Sequence, residues 1–527
     1  MTKLRKQSFL KGALILAIAN LVVKAIGALY KIPLTNLLGP DGIGIYNAGY
    51  TIYNVLFVVA TAGLPVAISK LVSENIAKNN YAEARHVFFV SRRLLLVVGI
   101  IGAAVLFFGS GFFARRINME VSTMSIMALA PCMFFVSLMS SYRGLFQGMS
   151  NMVPTASSEV IESVCKLVMG LVLAYILMPS GKPFAAAGAI LGVSTGGFLA
   201  AMFLVGYYGK IRSALKEKVS QSEGVKSSSS ATLKRLLKLA VPITIGSAVF
   251  TLASVIDLTM ILNQLAGLGF DENTRTTMYG YYSGHAVTLF NMPLTVITSL
   301  SVSIMPTLSA ALAQKKKSLA KTTVETAIRI TLLFGLPCAV GMSVLSGPIL
   351  KFLFNDTNAA GMLSVLSFGI IFVSIVMVSN SVLQADGKVW IPVINMLIGG
   401  AVKVIVNFIL VGNININING APYGTVLCYI TTAGLNLYAI HKSIRPGYGF
   451  MFIVKSALSA AVMGVLAYLV CGFVVPMLGN TLGLIAGIGV GVLSYFALLI
   501  LLRALKKEDV MAMPGSKYIL KLIGRFL

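Results

Sequence analysis

Charged side chains are scarce in this 527-residue chain: Asp, Glu, Lys and Arg make up 11% of it, against about 25% in soluble domains. So little polar surface excludes a soluble globule, and the 57% hydrophobic content must face something other than water. The five cysteines, Cys132, Cys165, Cys338, Cys428 and Cys471, all lie inside apolar runs, and none has a CxxC spacing. They read as small packing residues, not as a disulfide framework or metal ligands. The chain also lacks a metal-spaced His/Cys/Asp cluster, a phosphate-cradling glycine loop and a Walker lysine. It is therefore read as neither an enzyme nor an ATP-driven pump, with no metal and no cofactor. The opening Met1-Thr-Lys-Leu-Arg-Lys6 precedes an apolar run without a small-residue cleavage site, so a retained first helix is expected rather than a signal peptide.

What is present is a series of apolar runs of about 20 residues, each long enough to cross the ~30 Å hydrocarbon core of a bilayer. Fourteen are read, over 9–30, 43–67, 88–113, 122–147, 154–178, 185–208, 237–263, 277–304, 326–347, 360–384, 389–411, 419–440, 450–474 and 481–502. The expected fold class is an all-α polytopic membrane protein with 14 transmembrane helices. A formal charge of +26 would point a soluble protein toward nucleic acid, but its distribution here argues against that partner. With the N-terminus in the cytoplasm, most Lys and Arg residues fall on the cytoplasmic side, Arg143 among them. Lys31, Arg115, Arg116, Lys182, Arg275 and Lys351 fall at or near the outside. This asymmetry obeys the positive-inside rule and places both termini in the cytoplasm. It also makes anionic membrane lipids partners of the basic loops.

Three lysines remain inside apolar runs: Lys24, Lys166 and Lys403. An intramembrane cation costs about 2.5–3.5 kcal/mol on insertion scales, which makes it a functional-site candidate by default. Two of the three are related by an ungapped shift of 237 residues, which sets Phe135-Val-Ser137 over Phe372-Val-Ser374, Gln147 over Gln384 and Lys166 over Lys403. The duplication pairs the fourth run with the tenth and the fifth with the eleventh. Since each copy has an even number of spans, the expected architecture is two parallel six-helix repeats around a central cavity, plus two extra C-terminal helices. The corresponding divisions are an N-lobe at 1–209, a basic, Ser-rich and flexible cytoplasmic linker at 210–236, a C-lobe at 237–442, the extra pair at 443–502 and a basic cytoplasmic tail at 503–527.

The fifth run carries Glu159, Glu162 and Lys166 on one helical face, with Glu162 one turn before Lys166 in the favoured order for an ion pair. Asn407 follows Lys403 by one turn, Asp257 lies in the seventh run and His285 in the eighth. Each has a plainer reading: lysines can snorkel to headgroups, Glu162 with Lys166 can be a structural pair, Asp257 can cap near the interface, and His285 can be a packed, hydrogen-bonded residue.

Four stretches carry a family resemblance: Leu38-Gly-Pro-Asp-Gly-Ile-Gly-Ile-Tyr46; Gly63-Leu-Pro-Val-Ala-Ile-Ser-Lys-Leu-Val-Ser-Glu74; Tyr142-Arg-Gly-Leu-Phe-Gln-Gly148, followed by Pro154-Thr and Glu159; and Asn291-Met-Pro293 through Ile304-Met-Pro306. Together they resemble the MOP exporter superfamily, in the polysaccharide-transport branch that includes the stage V sporulation protein B family and the MurJ-type lipid II flippases. The resemblance implies a multi-pass transporter of the bacterial plasma membrane. It would flip an undecaprenyl-diphosphate-linked sugar, lipid II first among them, by alternating access. A cationic cavity would receive the diphosphate and sugar, with Lys24 in the place of the helix-one cation and Lys31 as a second candidate. The last two helices would form a groove for the lipid tail.

The chain departs from that pattern at two places. His285 stands on the helix where lipid II flippases often carry arginine. Lys403 with Asn407 stands where some members bind sodium, which leaves Asp257 and Asn407 as the ion-coupling candidates, for sodium or protons, with membrane potential as the other driver. The expected substrate-binding set is Lys24, Lys31, Lys166, Lys403, Glu159, Glu162 and His285, in a monomer, with cell-wall synthesis machinery as a further partner. The alternatives are a cation-coupled multidrug exporter of the same superfamily, a sporulation-specific polysaccharide precursor transporter, a membrane-embedded sugar polymerase or ligase, and a scaffold.

Overall fold

The computed structural model describes residues 9–222, 227–314, 316–447 and 449–504. The described residues are helical, with no strand among them. In hydrocarbon every backbone N–H and C=O needs a partner within its own segment, which a helix supplies. The elements are α1 (Phe9–Thr61), α2 (Gly63–Ala77), α3 (Tyr81–Arg116), α4 (Thr123–Met127), α5 (Ala130–Gly148), α6 (Val153–Leu177), α7 (Lys182–Ser220), α8 (Ser229–Gly267) and α9 (Glu272–Gly280). After a π-helical segment at Tyr281–Ala286 come α10 (Val287–Ala313), α11 (Lys317–Val344), α12 (Ser346–Phe354), α13 (Ala360–Ala385), α14 (Trp390–Val411), α15 (Ala421–Ile444) and α16 (Phe450–Leu501). Among the described residues, nine helical segments are long and apolar enough to cross a membrane. The chain is an α-helical, multi-pass membrane protein.

Two pairs of the expected runs are joined. Runs 9–30 and 43–67 merge into α1, which is interrupted at Gly39 (φ 70°, ψ 178°). Runs 450–474 and 481–502 merge into α16, interrupted at Gly479 (φ 84°, ψ 168°). A positive φ of this kind is open to glycine at no steric cost, so the helix is broken without an intervening loop. Near the first break, Lys182 at the start of α7 pairs with Asp41, Nζ to Oδ1 at 2.7 Å.

The expected flexible linker is largely helical. Ile211 and Leu215, one turn apart, bury their side chains and carry α7 on to Ser220. Ser228 then caps α8 by accepting a hydrogen bond from the Ala231 N–H. The expected basic tail lies outside the described residues from 505 onward, as does the basic start up to residue 8. The segment 264–276 between two of the apolar runs is mostly helix as well, and Asp271 accepts from the Thr274 N–H at the start of α9.

The chain forms two compact units, Met1–Gly280 and Tyr281–Leu527. In the first, α6 runs along α7, α5 packs on α3 and α7, and α8 packs on α2. Small residues permit this closeness: a Cβ on Gly192 would lie 2.3 Å from the Gly170 backbone, the small-residue packing typical of membrane helices. In the second, α14 runs along α15, and α13 packs on α10, α11 and α15. Two element boundaries match under the 237-residue shift. The helix starting at Val153 corresponds to the one starting at Trp390, and the C-cap Met149 corresponds to the C-cap Asp386.

Candidate functional site

The break at Gly39 sets the two arms of α1 so that their tyrosines meet. Tyr46 and Tyr50, one turn apart, stack with centroids 5.8 Å apart, and Tyr30 from the first arm meets Tyr46 edge-on at 6.4 Å. Two ammonium groups rest on these rings. Lys166 of α6 lies 5.3 Å from the Tyr30 centroid and 4.9 Å from that of Tyr50. Lys31 lies 4.7 Å from the Tyr46 centroid and donates to Asn47 Oδ1. Tyr30 is fixed by its hydroxyl, which donates to the Ala189 carbonyl at 3.2 Å. A desolvated cation–π contact is worth about 2 kcal/mol, and it holds the cation without neutralising it. The two ammonium groups also feel each other's charge. Glu162 and the Tyr50 hydroxyl also act on Lys166, and an anion placed between the two ammonium groups would be attracted by both.

One turn before Lys166, Glu162 does not pair with it. Its Oε2 accepts from Arg143 Nη2 at 2.9 Å, with side chains 17% and 23% exposed. Arg143 also donates from Nε to Ser158 Oγ at 3.0 Å. The i, i+4 rule fails here because guanidinium is planar and presents several donors at once, to carboxylate and hydroxyl together. Glu159 lies in the electrostatic field of both Arg143 and Glu162, and its Oε2 is buried with no hydrogen-bond partner. Arg143 is the residue that sequence reasoning missed, by counting it with the cytoplasmic charges near a run expected to end at 147. It sits inside α5.

The first unit therefore brings together Lys31, Lys166, Glu159 and Glu162. Lys24 is on the same face of α1 as Lys31, seven residues earlier, and exposed. Asp257 is half-buried on α8. Lys403, Asn407 and His285 belong to the second unit. Lys403 is half-buried, and Asn407 is fully buried against α15, where a Cβ on Gly424 would meet its Oδ1 at 2.0 Å. His285, 3% exposed in the π-helical segment, is edge-on to Phe354 at 4.5 Å and tilted against Tyr281 at 5.4 Å. The Tyr281 hydroxyl donates to Asp356 Oδ2 at 2.8 Å. Burial works against the charged form of Asp356, but the Asn358 N–H, the Tyr281 hydroxyl and the nearby His285 outweigh it and hold this loop carboxyl below the usual range.

Two further features complete the second unit. Asn395 of α14 donates to Asn436 Oδ1 at 2.8 Å, and Asn436 of α15 donates to Ser379 Oγ at 2.9 Å and Asn380 Oδ1 at 2.8 Å. A cavity of about 330 Å³ lies between α11 and both arms of α16, lined by apolar groups such as Leu333, Pro337, Met463 and Phe496.

The model of the polysaccharide biosynthesis protein family matches residues 9–312, and the MatE model matches residues 283–409. Stage V sporulation protein B of Bacillus subtilis (strain 168) is 27% identical over 531 residues, covering 99% of both chains. The lipid II flippase MurJ of the same organism is 24% identical over 483 residues, covering 86% of this chain and 87% of its own. Among solved structures, the inward closed conformation of a lipid II flippase MurJ aligns with a TM-score of 0.71 at 14% identity, over 93% of this chain and 99% of that one. The family model alone spans more than half of the chain, and these relatives extend the likeness to its full length. The chain belongs to the polysaccharide biosynthesis protein family, in the polysaccharide-transport branch of the MOP exporter superfamily.

Proposed function

We propose that this protein is a flippase for a polyprenyl-diphosphate-linked cell-wall sugar, with lipid II as the leading candidate. It works by alternating access in the bacterial plasma membrane, with both termini in the cytoplasm. The observation that carries the reading is the pair of ammonium groups, Lys31 and Lys166, lodged on tyrosine faces inside apolar helices. Opposite charges ~4 Å apart gain about 4 kcal/mol at an effective dielectric of 20, which offsets part of the diphosphate's desolvation. Lys24 is assigned as a further cation of the first unit, and Lys403 and His285 as substrate contacts contributed by the second. Glu159 and Glu162 limit the net positive charge of the empty site and favour release of product. The apolar cavity between α11 and α16 takes the polyprenyl tail.

The proposed topology keeps fourteen crossings: α1 and α16 each count twice among the nine long apolar segments, and α8, α10 and α15 complete the number. At ~1.5 Å per residue, the 53 residues of α1 and the 52 of α16 would each reach about 80 Å if straight, far beyond the ~30 Å core. Each therefore supplies two crossings, parted at its glycine. Asp257 is assigned to ion coupling, with protons or membrane potential as the driver.

Two other readings have support of their own. The full-length likeness to stage V sporulation protein B favours a sporulation-specific precursor as cargo, and the MatE match over 283–409 favours a cation-coupled drug exporter. The deciding experiment reconstitutes the protein in vesicles and follows labelled lipid II, a second undecaprenyl-diphosphate sugar and a cationic dye. Movement of the diphosphate lipids with loss in Lys166→Gln supports the flippase. Movement of the dye alone would overturn it.

A further inference from the structure

Away from the lysine–tyrosine site, three arginines border one aromatic cluster at the end of the first unit where α3 begins and α7 approaches its C-terminus. Phe88 of α3 packs on Tyr208 of α7 at 5.2 Å and on Tyr142 of α5 at 5.2 Å, and Tyr142 meets Tyr208 at 5.7 Å. Arg85 and Arg92 are seven residues apart on one face of α3. The Arg85 guanidinium lies 5.3 Å from the Phe89 centroid, and that of Arg92 lies 5.1 Å from Phe89 and 5.8 Å from Phe88. Arg212 is one turn beyond Tyr208 on α7, and Tyr208 lies in the electrostatic field of all three arginines. Among the described residues, none of the three is paired with a carboxylate. The nearest acid in sequence, Glu83, is engaged elsewhere, accepting from the Ser227 N–H and the Thr232 hydroxyl.

Two donors in this cluster are orphaned. The Tyr208 hydroxyl, on a residue only 7% exposed, has no hydrogen-bond partner, and neither does the buried Arg92 Nε. A buried polar group left unmade costs about 1–3 kcal/mol, and unneutralised guanidinium groups add repulsion to that cost. Both burdens are lifted by one ligand with several acceptor oxygens and negative charge. Arg85 and Arg212 lie just outside the apolar runs 88–113 and 185–208, and so at headgroup level in the bilayer.

We infer that Arg85, Arg92, Arg212 and Tyr208 form a binding site for a phosphate oxyanion, filled by the headgroup phosphate of an anionic membrane phospholipid. Guanidinium forks match phosphate oxygens bidentately. The apolar sides of α3 and α7 flank the acyl chains, so a lipid satisfies both halves of the site, as a free phosphate does not. The inference stands apart from what the protein transports, and its test does not read transport.

The purified full-length protein in detergent is titrated with dioleoyl phosphatidylglycerol or dioleoyl phosphatidylcholine, and retained lipid is counted by native mass spectrometry. The wild type retains phosphatidylglycerol on the order of tenfold more tightly. Arg92→Gln removes that preference, and Tyr208→Phe, which deletes only an unpartnered hydroxyl and leaves the fold intact, weakens it several-fold. Arg92→Lys restores part of it. In a second arm, inorganic phosphate and pyrophosphate compete. Failure of either to displace the lipid at millimolar concentration supports the membrane source, whereas displacement sensitive to Tyr208→Phe assigns the site to a soluble phosphate and overturns the lipid assignment. Equal retention of the two lipids, or retention unaffected by both Arg92→Gln and Tyr208→Phe, overturns the site itself.

Discussion

Positions 237 residues apart occupy corresponding helices in the two units, yet carry different chemistry. In the first, Arg143, Ser158 and Glu162 are bound together by a guanidinium. In the second, the matching positions are Asn380, Asn395 and Gly399, and the α13–α14–α15 junction is closed by neutral amides centred on Asn436. Lys166 and Lys403 are the cations common to both, and Lys166 rests on two tyrosine rings. The contrast teaches that a duplicated helical frame does not require duplicated electrostatics. In the second unit amides hold the helices together where the first uses an ion pair. The two clusters differ in what their loss should cost.

The sharpest test of the contrast replaces the two lysines separately. Lys166→Gln is expected to abolish flipping of lipid-linked sugar in reconstituted vesicles, and Lys403→Gln to leave most of it. Equal losses would erase the distinction between the units. Next in size is Arg143→Gln, which strands the half-buried Glu162 carboxylate. Breaking one side of such a pair costs less than the about 3–5 kcal/mol of a fully buried one, read as a lowered unfolding temperature in detergent, and the double change Arg143→Gln with Glu162→Gln recovers most of it. The amide counterpart is milder. Asn436→Ala should cost about 1 kcal/mol, near the range measured for hydrogen bonds between membrane helices, with transport preserved.

The smallest effect concerns Asp356, whose carboxyl is held below the usual range by its hydrogen bonds and His285. A depressed folded-state value adds stability above the unfolded value of about 3.9, and that gain is lost as pH falls through the folded value. Asp356→Asn should lower the unfolding temperature slightly at neutral pH and flatten its fall in acid, the two proteins converging below about 4. An unaltered acid limb would remove Asp356 from the account of the second unit.

Composition was enough to read a multi-pass helical protein, because a bilayer's demand for apolar length is written in every run. Lys166 was equally legible, since a cation in such a run is conspicuous and its echo at Lys403 doubled the signal. The tyrosine seats were not. Tyr30, Tyr46 and Tyr50 come from another helix and meet only because Gly39 turns α1 between them, a long-range consequence of one backbone angle. Arg143 was hidden by its nearness to the end of a run, and with it the hydrogen-bonded partner of Glu162, for which local spacing offered Lys166. The short linker also misled: its serines and lysines suggested a tether, whereas Ile211 and Leu215 supply an apolar stripe that keeps the helix going.

The glycines at 39 and 479 bear on how membrane sidedness can be measured. Each parts two helical arms within a single residue, leaving no slack chain for an epitope tag, protease site or fluorescent fusion, and any insert there would force the arms apart. Reporters of sidedness belong instead beside Gln221 or between Arg445 and Gly447, where helices end and a turn or irregular chain follows. A tag that silences the protein at either glycine would therefore say little about which compartment that residue faces.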